Sequence, residues 1–346
     1  MAYNGSNTLH KGLGFKPVKD FYQGKRVLVT GASGFIGTNL VRKLTSLGAI
    51  VRGATHENAP QEVLSGVEYS TFDLLKMDNC FTATKGMDYV FMAAANSSGA
   101  AIMETTPLVH LTPNVVMNSQ MLAASYENKV KKFCFVSSNT VYPLTDFAVK
   151  EEDVTNEFYE KYFIVGWMKR FSEIMCEMYS NKIKSPMETL VVRPGNLYGP
   201  FDKYTWTESK VIAALVRRAI EKQNPFEVWG DGLDLKDFLY IDDFTEGMLL
   251  AFAKSNHFMP INIASGIPIT IREVLAVILK TAAHNDAHVN FDSTKPTMIP
   301  KRMIDISKMQ QLTSWSPETN LADGIAKTME WYKEFFQDKT PENLKS

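Results

Sequence analysis

The chain has 346 residues, 45% of them hydrophobic, and a formal net charge of −1. That length and apolar content support one large core or two interlocked domains, and the near-neutral balance gives no footing for nucleic acid or an anionic membrane. Three cysteines, Cys80, Cys134 and Cys176, make no disulfide framework and fit a reducing cytoplasm, while no apolar run reaches the ~18 residues of a membrane-spanning helix.

Residues 1–22 are polar, broken by glycine and proline, and without the apolar run of a signal peptide; they read as a flexible extension. Arg26 to Thr30 is a short β-branched run ending in glycines, the pattern of a buried parallel strand. A helical spacing follows from Asn39 to Leu47, closed by Gly48. Further strands are expected at Ala49 to Ala54, Tyr89 to Ala93, Phe133 to Val136 and Thr189 to Val192, with long helices at Asn114 to Glu127 and about Phe163 to Ser180. The alternation argues an α/β fold with a doubly wound parallel sheet. After about Pro194 the segments shorten, as a smaller α/β lobe over the carboxyl edge of the sheet would require.

Between the first strand and helix lies Gly31-Ala32-Ser33-Gly34-Phe35-Ile36-Gly37. Gly31 allows the tight turn, Gly34 lets backbone approach a pyrophosphate, and Gly37 lets helix and strand pack closely. The phosphate then rests on free N–H groups at the helix N-terminus. The second strand should end in an acid that holds an adenine ribose diol. It reads Val51-Arg52-Gly53-Ala54-Thr55-His56, with no acid at its tip. Without a carboxylate to repel a 2′-phosphate, and with Arg52 or His56 able to contact one, NADP is mildly favoured over NAD.

The Gly-x-x-Gly-x-x-Gly spacing resembles that of the extended short-chain dehydrogenase/reductases, and the resemblance covers roughly residues 25–335. It implies a Rossmann-type dinucleotide-binding domain over 23–195 plus about 236–265, and a substrate lobe over 196–235 and 266–335. It implies an adenine contact from Asp73 and Leu74 in Thr71-Phe72-Asp73-Leu74, a loop under the diphosphate from Ala93, Ala94 and Ala95, and a structural asparagine at Asn114. Ser137-Ser138-Asn139-Thr140-Val141-Tyr142-Pro143 resembles the family's serine motif, which makes Ser138 the group that holds the reacting sugar oxygen.

The family's Tyr-x-x-x-Lys is absent from its place, which reads Tyr162-Phe163-Ile164-Val165-Gly166-Trp167-Met168-Lys169. In GDP-fucose synthases, a Cys-Glu pair and a tyrosine follow the lysine by seven, eight and ten. Cys176, Glu177 and Tyr179 match those offsets from Lys169, so the lysine is in register and Val165 stands for the tyrosine; the resemblance implies that Lys169 binds the coenzyme at its nicotinamide ribose and tunes the acid. Tyr162 lies three residues early. Seven residues turn ~700°, so on one continuous helix Tyr162 and Lys169 would share a face about 10 Å apart. Tyr162 is the expected acid/base on that reading; the alternative leaves proton transfer to Ser138, Lys169 or water.

The later segments Arg193-Pro194-Gly195-Asn196-Leu197-Tyr198-Gly199-Pro200, Trp229-Gly230-Asp231-Gly232, Lys236 to Asp243 and Pro300-Lys301-Arg302-Met303-Ile304-Asp305 resemble the family's nucleotide-sugar contacts. They nominate Asn196, Trp229, Lys236 and Arg302, together with Thr140 and Lys210, as substrate-binding. Lys210 follows a Thr-Glu-Ser stretch. Within the superfamily the nearest resemblance is to the GDP-fucose synthases, but Thr140 and Lys210 replace the cysteine and histidine that epimerise C3 and C5. Threonine is a poor base at neutral pH, which leaves hydride transfer at C4 of a nucleotide-linked, GDP-type sugar. A 4-epimerase with tightly held cofactor and a non-catalytic nucleotide-binding protein are the alternatives. The resemblance also implies a homodimer through the two long helices.

Overall fold

A computed structural model describes residues 15–96, 106–206, 209–295 and 297–336. Most of the expected N-terminal extension (1–14), and Thr207 and Glu208 before Lys210, lie outside the described residues. Seven parallel strands form the main sheet, in the order β10-β6-β5-β4-β1-β2-β3. They are β1 (Arg26–Thr30), β2 (Ile50–Thr55), β3 (Glu68–Thr71), β4 (Tyr89–Met92), β5 (Lys132–Val136), β6 (Glu188–Pro194) and β10 (Phe258–Ile263). The central strands are apolar runs with both faces buried, as parallel strands covered on two sides must be.

Helices α1 (Phe15–Tyr22), α2 (Phe35–Ser46) and α7 (Ile241–Lys254) cover one face. Helices α3 (Met77–Thr84), α4 (Thr112–Glu127) and α5 (Phe163–Asn181) cover the other. The strand order reverses between β1 and β4, which opens a crevice at the carboxyl ends of those strands.

Residues 15–22 correct the expectation of a flexible extension. Val18 and Tyr22 are fully buried, Phe21 stacks on Tyr89 with ring centroids 5.1 Å apart, and the Tyr22 hydroxyl donates to the Leu249 carbonyl at 3.0 Å. Val18, Phe21 and Tyr22 have i, i+3, i+4 spacing, a helical stripe too short to stand out beside the glycines and prolines around it.

The second lobe has its own core. Strands β7 (Asn196–Tyr198), β9 (Leu235–Tyr240) and β11 (Pro268–Thr270) form one small sheet, and β8 (Phe226–Trp229) with β12 (Val289–Asp292) another. Helices α6 (Val211–Ile220), α8 (Ile271–Thr281) and α10 (Leu321–Phe336) pack around them, and α9 (Ser307–Thr313) rests on α7.

Candidate active site

The crevice begins at the glycine loop. Gly31 has φ +66, and a Cβ there would lie 2.8 Å from the Ala94 Cα. A Cβ on Gly37 would lie 2.0 Å from the Gly31 carbonyl oxygen. Only backbone can fill these places, and the result is a concave cradle of N–H groups that fits a dinucleotide pyrophosphate. The Thr30 hydroxyl accepts from the Ala93 and Ala94 amides at 3.2 and 3.1 Å, which fixes the Ala93–Ala95 turn beside the cradle. Gln61 donates to the carbonyls of Ser33 (3.2 Å) and Phe201 (2.9 Å), and Asn39 to that of Pro200 (3.1 Å), so the loop is tied to the segment that opens the second lobe. Phe35 and Ile36 open helix α2 directly after the loop.

At the far end, a cavity lined by Thr55, His56, Glu57, Asn58, Tyr69 and Ser70 lies beyond the tips of β2 and β3, where an adenosine would sit. Arg52 does not reach it, which corrects the sequence expectation. A Cβ on Gly53 would strike Ala32 of the glycine loop and Tyr69, so Arg52, one residue away on the strand, points to the opposite face. Its guanidinium holds Glu68 at 2.9 Å and the Ala83 carbonyl at 3.0 Å. His56 keeps its place, exposed at the cavity. Asp73 accepts from the Leu75 amide at 3.1 Å and lies 3.5 Å from Lys76; these donors hold its carboxyl below the usual range. Leu74 is buried in the core.

At the near end, β5 runs into Ser137 and Ser138. Ser138 caps a 3-10 turn, Asn139–Val141, its hydroxyl accepting from the Thr140 amide at 3.2 Å. The Thr140 hydroxyl is buried with no partner. Lys169 donates to the Val136 carbonyl at 2.8 Å and lies over the Phe135 ring at 4.9 Å. Burial pulls its ammonium down to about 8, against the upward pull of Glu173.

Tyr162 is not beside that lysine. It ends a 3-10 turn, Glu160–Tyr162, and caps α5 rather than lying within it. The helix thus starts too late for the seven-residue repeat to apply. Burial drives its hydroxyl up to about 12, away from what a base needs, against a downward pull from the Ile299 backbone of the second lobe. Val165 occupies the place one turn before Lys169.

Behind Ser138 lies a buried network that the sequence reading did not assemble. The Ser137 hydroxyl donates to Glu173 at 2.6 Å, and Arg193 grips the same carboxylate with two nitrogens at 2.9 and 2.8 Å. Arg193 also donates to the Tyr142 hydroxyl at 3.0 Å, which donates to Asn262 at 2.6 Å. Arg193 opens a segment that matches a family pattern, and Glu173 lies four residues beyond Lys169. Nothing in their local sequence says that they meet, since they come from α5 and β6. Across the crevice, Asn114 is anchored as expected: its side chain accepts from the Asn96 amide at 2.8 Å and donates to the Asn96 and His110 carbonyls.

The substrate candidates divide. Lys210 lies between Asp202, at 3.7 Å, and the Phe35 ring, at 4.9 Å, where glycine loop and second lobe meet. Trp229 is exposed at the end of β8. Asn196, Lys236 and Arg302 each have protein partners in this structure. Asn196 donates to the Asp237 carbonyl, and Lys236 is held by Asp234 and the Ile299 carbonyl. Arg302, 1% exposed, donates to the Tyr142 and Pro143 carbonyls. Burial lowers both cations, and Arg302 falls to about 10.

Among the described residues no cluster of His, Cys, Asp and Glu could hold a metal ion, and no helix is long and apolar enough to cross a membrane. A family model described as NAD dependent epimerase/dehydratase matches residues 27–264. GDP-mannose 3,5-epimerase 1 of Oryza sativa subsp. japonica is 31% identical, over 89% of this chain and 82% of that protein. GDP-L-fucose synthase of Escherichia coli is 28% identical, over 90% and 97%. Among solved structures, the epimerase Mth375 of Methanothermobacter thermautotrophicus has a TM-score of 0.83 at 22% identity, covering 93% of this chain and 96% of that one. The UDP-glucose 4-epimerase of Thermotoga maritima has a TM-score of 0.79 at 23% identity, covering 89% and 99%.

Proposed function

This chain belongs to the NAD dependent epimerase/dehydratase family, and we propose that it is an NAD(P)-dependent oxidoreductase that moves hydride at C4 of a nucleotide-activated sugar, GDP-linked by preference. The observation that carries the reading is the crevice itself. A backbone cradle for a dinucleotide and the Ser138–Lys169 pair stand at the carboxyl edge of one sheet, with a separate lobe across from them. The GDP preference rests on the names of the relatives, which are GDP-mannose 3,5-epimerases and GDP-L-fucose synthases.

In this reading the coenzyme, when bound, supplies the hydride chemistry. Gly31, Ser33, Gly34, Phe35, Ile36 and Gly37 hold its pyrophosphate, and His56 and Asp73 flank its adenosine. Ser138 holds the sugar oxygen, while Lys210, Trp229 and Thr140 border the sugar nucleotide. The buried, unpartnered Thr140 hydroxyl gives the site a neutral donor where a C3 or C5 base would be needed, which favours redox chemistry at C4 over double epimerisation. The three buried free cysteines suit a cytoplasmic enzyme. Exposed Phe163, Phe171 and Met178, at helical spacing on α5, suit a homodimer through α4 and α5, which solution scattering would refute by showing a monomer.

The test is a panel of GDP- and UDP-sugars, read by thermal stabilisation and by nicotinamide absorbance. A GDP-sugar should stabilise the fold and change the absorbance. Stabilisation without turnover on any sugar would sink the enzymatic reading.

A further inference from the structure

Building on the C4 reading above, we propose that Lys169 is itself the acid/base of the reaction, so that the proton moves between the sugar oxygen and an amine with no tyrosine between them.

The geometry leaves the place of the phenol empty of any titrating group. On α5, positions 165 and 169 are one turn apart and share a face. Val165 supplies only an isopropyl group there. Gly166 beside it cannot carry a larger side chain, because a Cβ would lie 2.5 Å from Phe158 and 2.9 Å from the Thr140 carbonyl oxygen. Tyr162 ends the turn that precedes the helix and faces Ile299 of the other lobe. On the facing turn Asn139–Val141, no side chain titrates near neutrality. Lys169 is held two residues from Ser138, by the Val136 carbonyl, so amine and hydroxyl belong to one strand end.

The charged and titrating groups around it are Glu173 one turn on, with its partners Arg170 and Arg193, and His110 on the turn Pro107–His110 that packs against the same helix. His110 Nδ1 lies 3.1 Å from the Asn96 carbonyl oxygen, and its Nε2 is buried without a partner. Because burial brings the Lys169 ammonium to about 8, both of its protonation states are accessible at ordinary pH.

Oxidation breaks the C4–H and O–H bonds of the sugar. The C4–H electron pair leaves with its hydrogen as hydride to the oxidised nicotinamide, the proton goes to the neutral amine, and a C4 ketone and an ammonium result. Reduction reverses both transfers. Turnover in the oxidative direction should therefore rise with pH and level off above about 8, while turnover in the reductive direction should fall through the same range.

Two measurements decide the matter. The first needs neither coenzyme nor sugar. In V165Y the added phenol is titrated by tyrosinate absorbance, with V165F as the folding control and V165Y/K169M as the charge control. A phenol that ionises well below ~10 in V165Y, and not in the double variant, is expected if position 165 faces the amine. A phenol at or above ~10 in both overturns the assignment. The second uses the sugar nucleotide that the wild type turns over. K169M and K169R should both lose about 10²–10⁴-fold in kcat, because guanidinium cannot release its proton. K169R should still bind coenzyme by fluorescence titration, its pH limb should vanish, and V165Y should turn over faster than wild type. A K169R kcat within tenfold of wild type would make the lysine a fixed charge and end the proposal. A comparable loss in Y162F or H110Q would end it too, by moving the proton to the phenol or the imidazole. Absence of turnover on every sugar overturns the C4 reading instead, while the phenol titration still rules on the geometry.

Discussion

The two ends of the crevice are built on opposite principles. The glycine-loop end works by leaving side chains out: Gly31 and Gly37 stand where any Cβ would strike backbone. The Ser138 end works by packing polar side chains in, with Glu173, Arg193, Tyr142 and Asn262 joined behind the turn that carries the serine. The first end is local, made by seven consecutive residues. The second is assembled from two strands, a helix and a loop. A local device tolerates change elsewhere in the chain, whereas an assembled one spreads any defect through its partners.

The largest expected effect strikes the assembled end. Glu173 is 0% and Arg193 1% exposed, so E173A strands a guanidinium in the core. Removing one partner of such a pair costs about 3–5 kcal/mol. Denaturant unfolding should show that loss, and it should exceed the loss in E173Q, which keeps an acceptor. A loss below ~1 kcal/mol would mean that water reaches the pair, and the contrast between the two ends would weaken. At the local end, G37A places a methyl against the Gly31 carbonyl, and overpacking of that kind costs roughly 1–3 kcal/mol or more. Its signature is different. Coenzyme affinity should fall more than tenfold even in protein that stays folded at low temperature, because the cradle itself is distorted. Calorimetric titration reads this directly, and unchanged affinity would separate the glycines from the dinucleotide.

The asymmetry also explains what the sequence revealed. The glycine loop, the parallel strands and the two long helices were legible because each follows from the spacing of neighbouring residues. The shortfall of Tyr162 was legible too, but its resolution was not. Whether seven residues form two helical turns depends on where α5 starts, and Tyr162 ends the 3-10 turn before it, facing Ile299 from far along the chain. The partners of Arg52, Lys236 and Arg302 were hidden for a related reason. A cation near a site can be seen in sequence, but the carbonyls that claim it, from Ala83, Ile299 and Tyr142, come from distant segments.

Asp237 sharpens the contrast through pH. It is buried below the start of the second lobe, accepting from the Ser265 amide and hydroxyl at 2.7 and 2.8 Å and from the Gly266 amide at 2.8 Å. Burial outweighs these donors and raises its carboxyl to about 6 from 3.8. A raised folded pKa means stability that is present in acid and lost as pH climbs from about 4 to about 6. Over that window wild type should lose roughly 2–3 kcal/mol relative to D237N. D237N should be the less stable protein at the acid end, where only its poorer fit to three donors counts. Parallel stability curves for the two proteins would place the titration elsewhere.

The smallest effect belongs to the adenosine end, where His56 and Arg52 were equal candidates for a 2′-phosphate. The structure separates them, because Arg52 is held on the opposite face of β2 by Glu68 and the end of α3, while His56 stands at the cavity. R52Q should therefore leave the ratio of NADP to NAD affinity unchanged and cost only the ~0.2–1 kcal/mol of an exposed ion pair in stability. H56A should lower NADP affinity alone, by a few-fold, since one exposed contact to a phosphate is worth about as much. Glu57 follows His56 and lines the same cavity, so it repels a 2′-phosphate that His56 attracts. E57Q should then move the ratio toward NADP. Equal binding of the two coenzymes by wild type, H56A and E57Q would show that the ribose edge is read by backbone, and the exclusion of side chains that governs the glycine loop would extend over the whole dinucleotide.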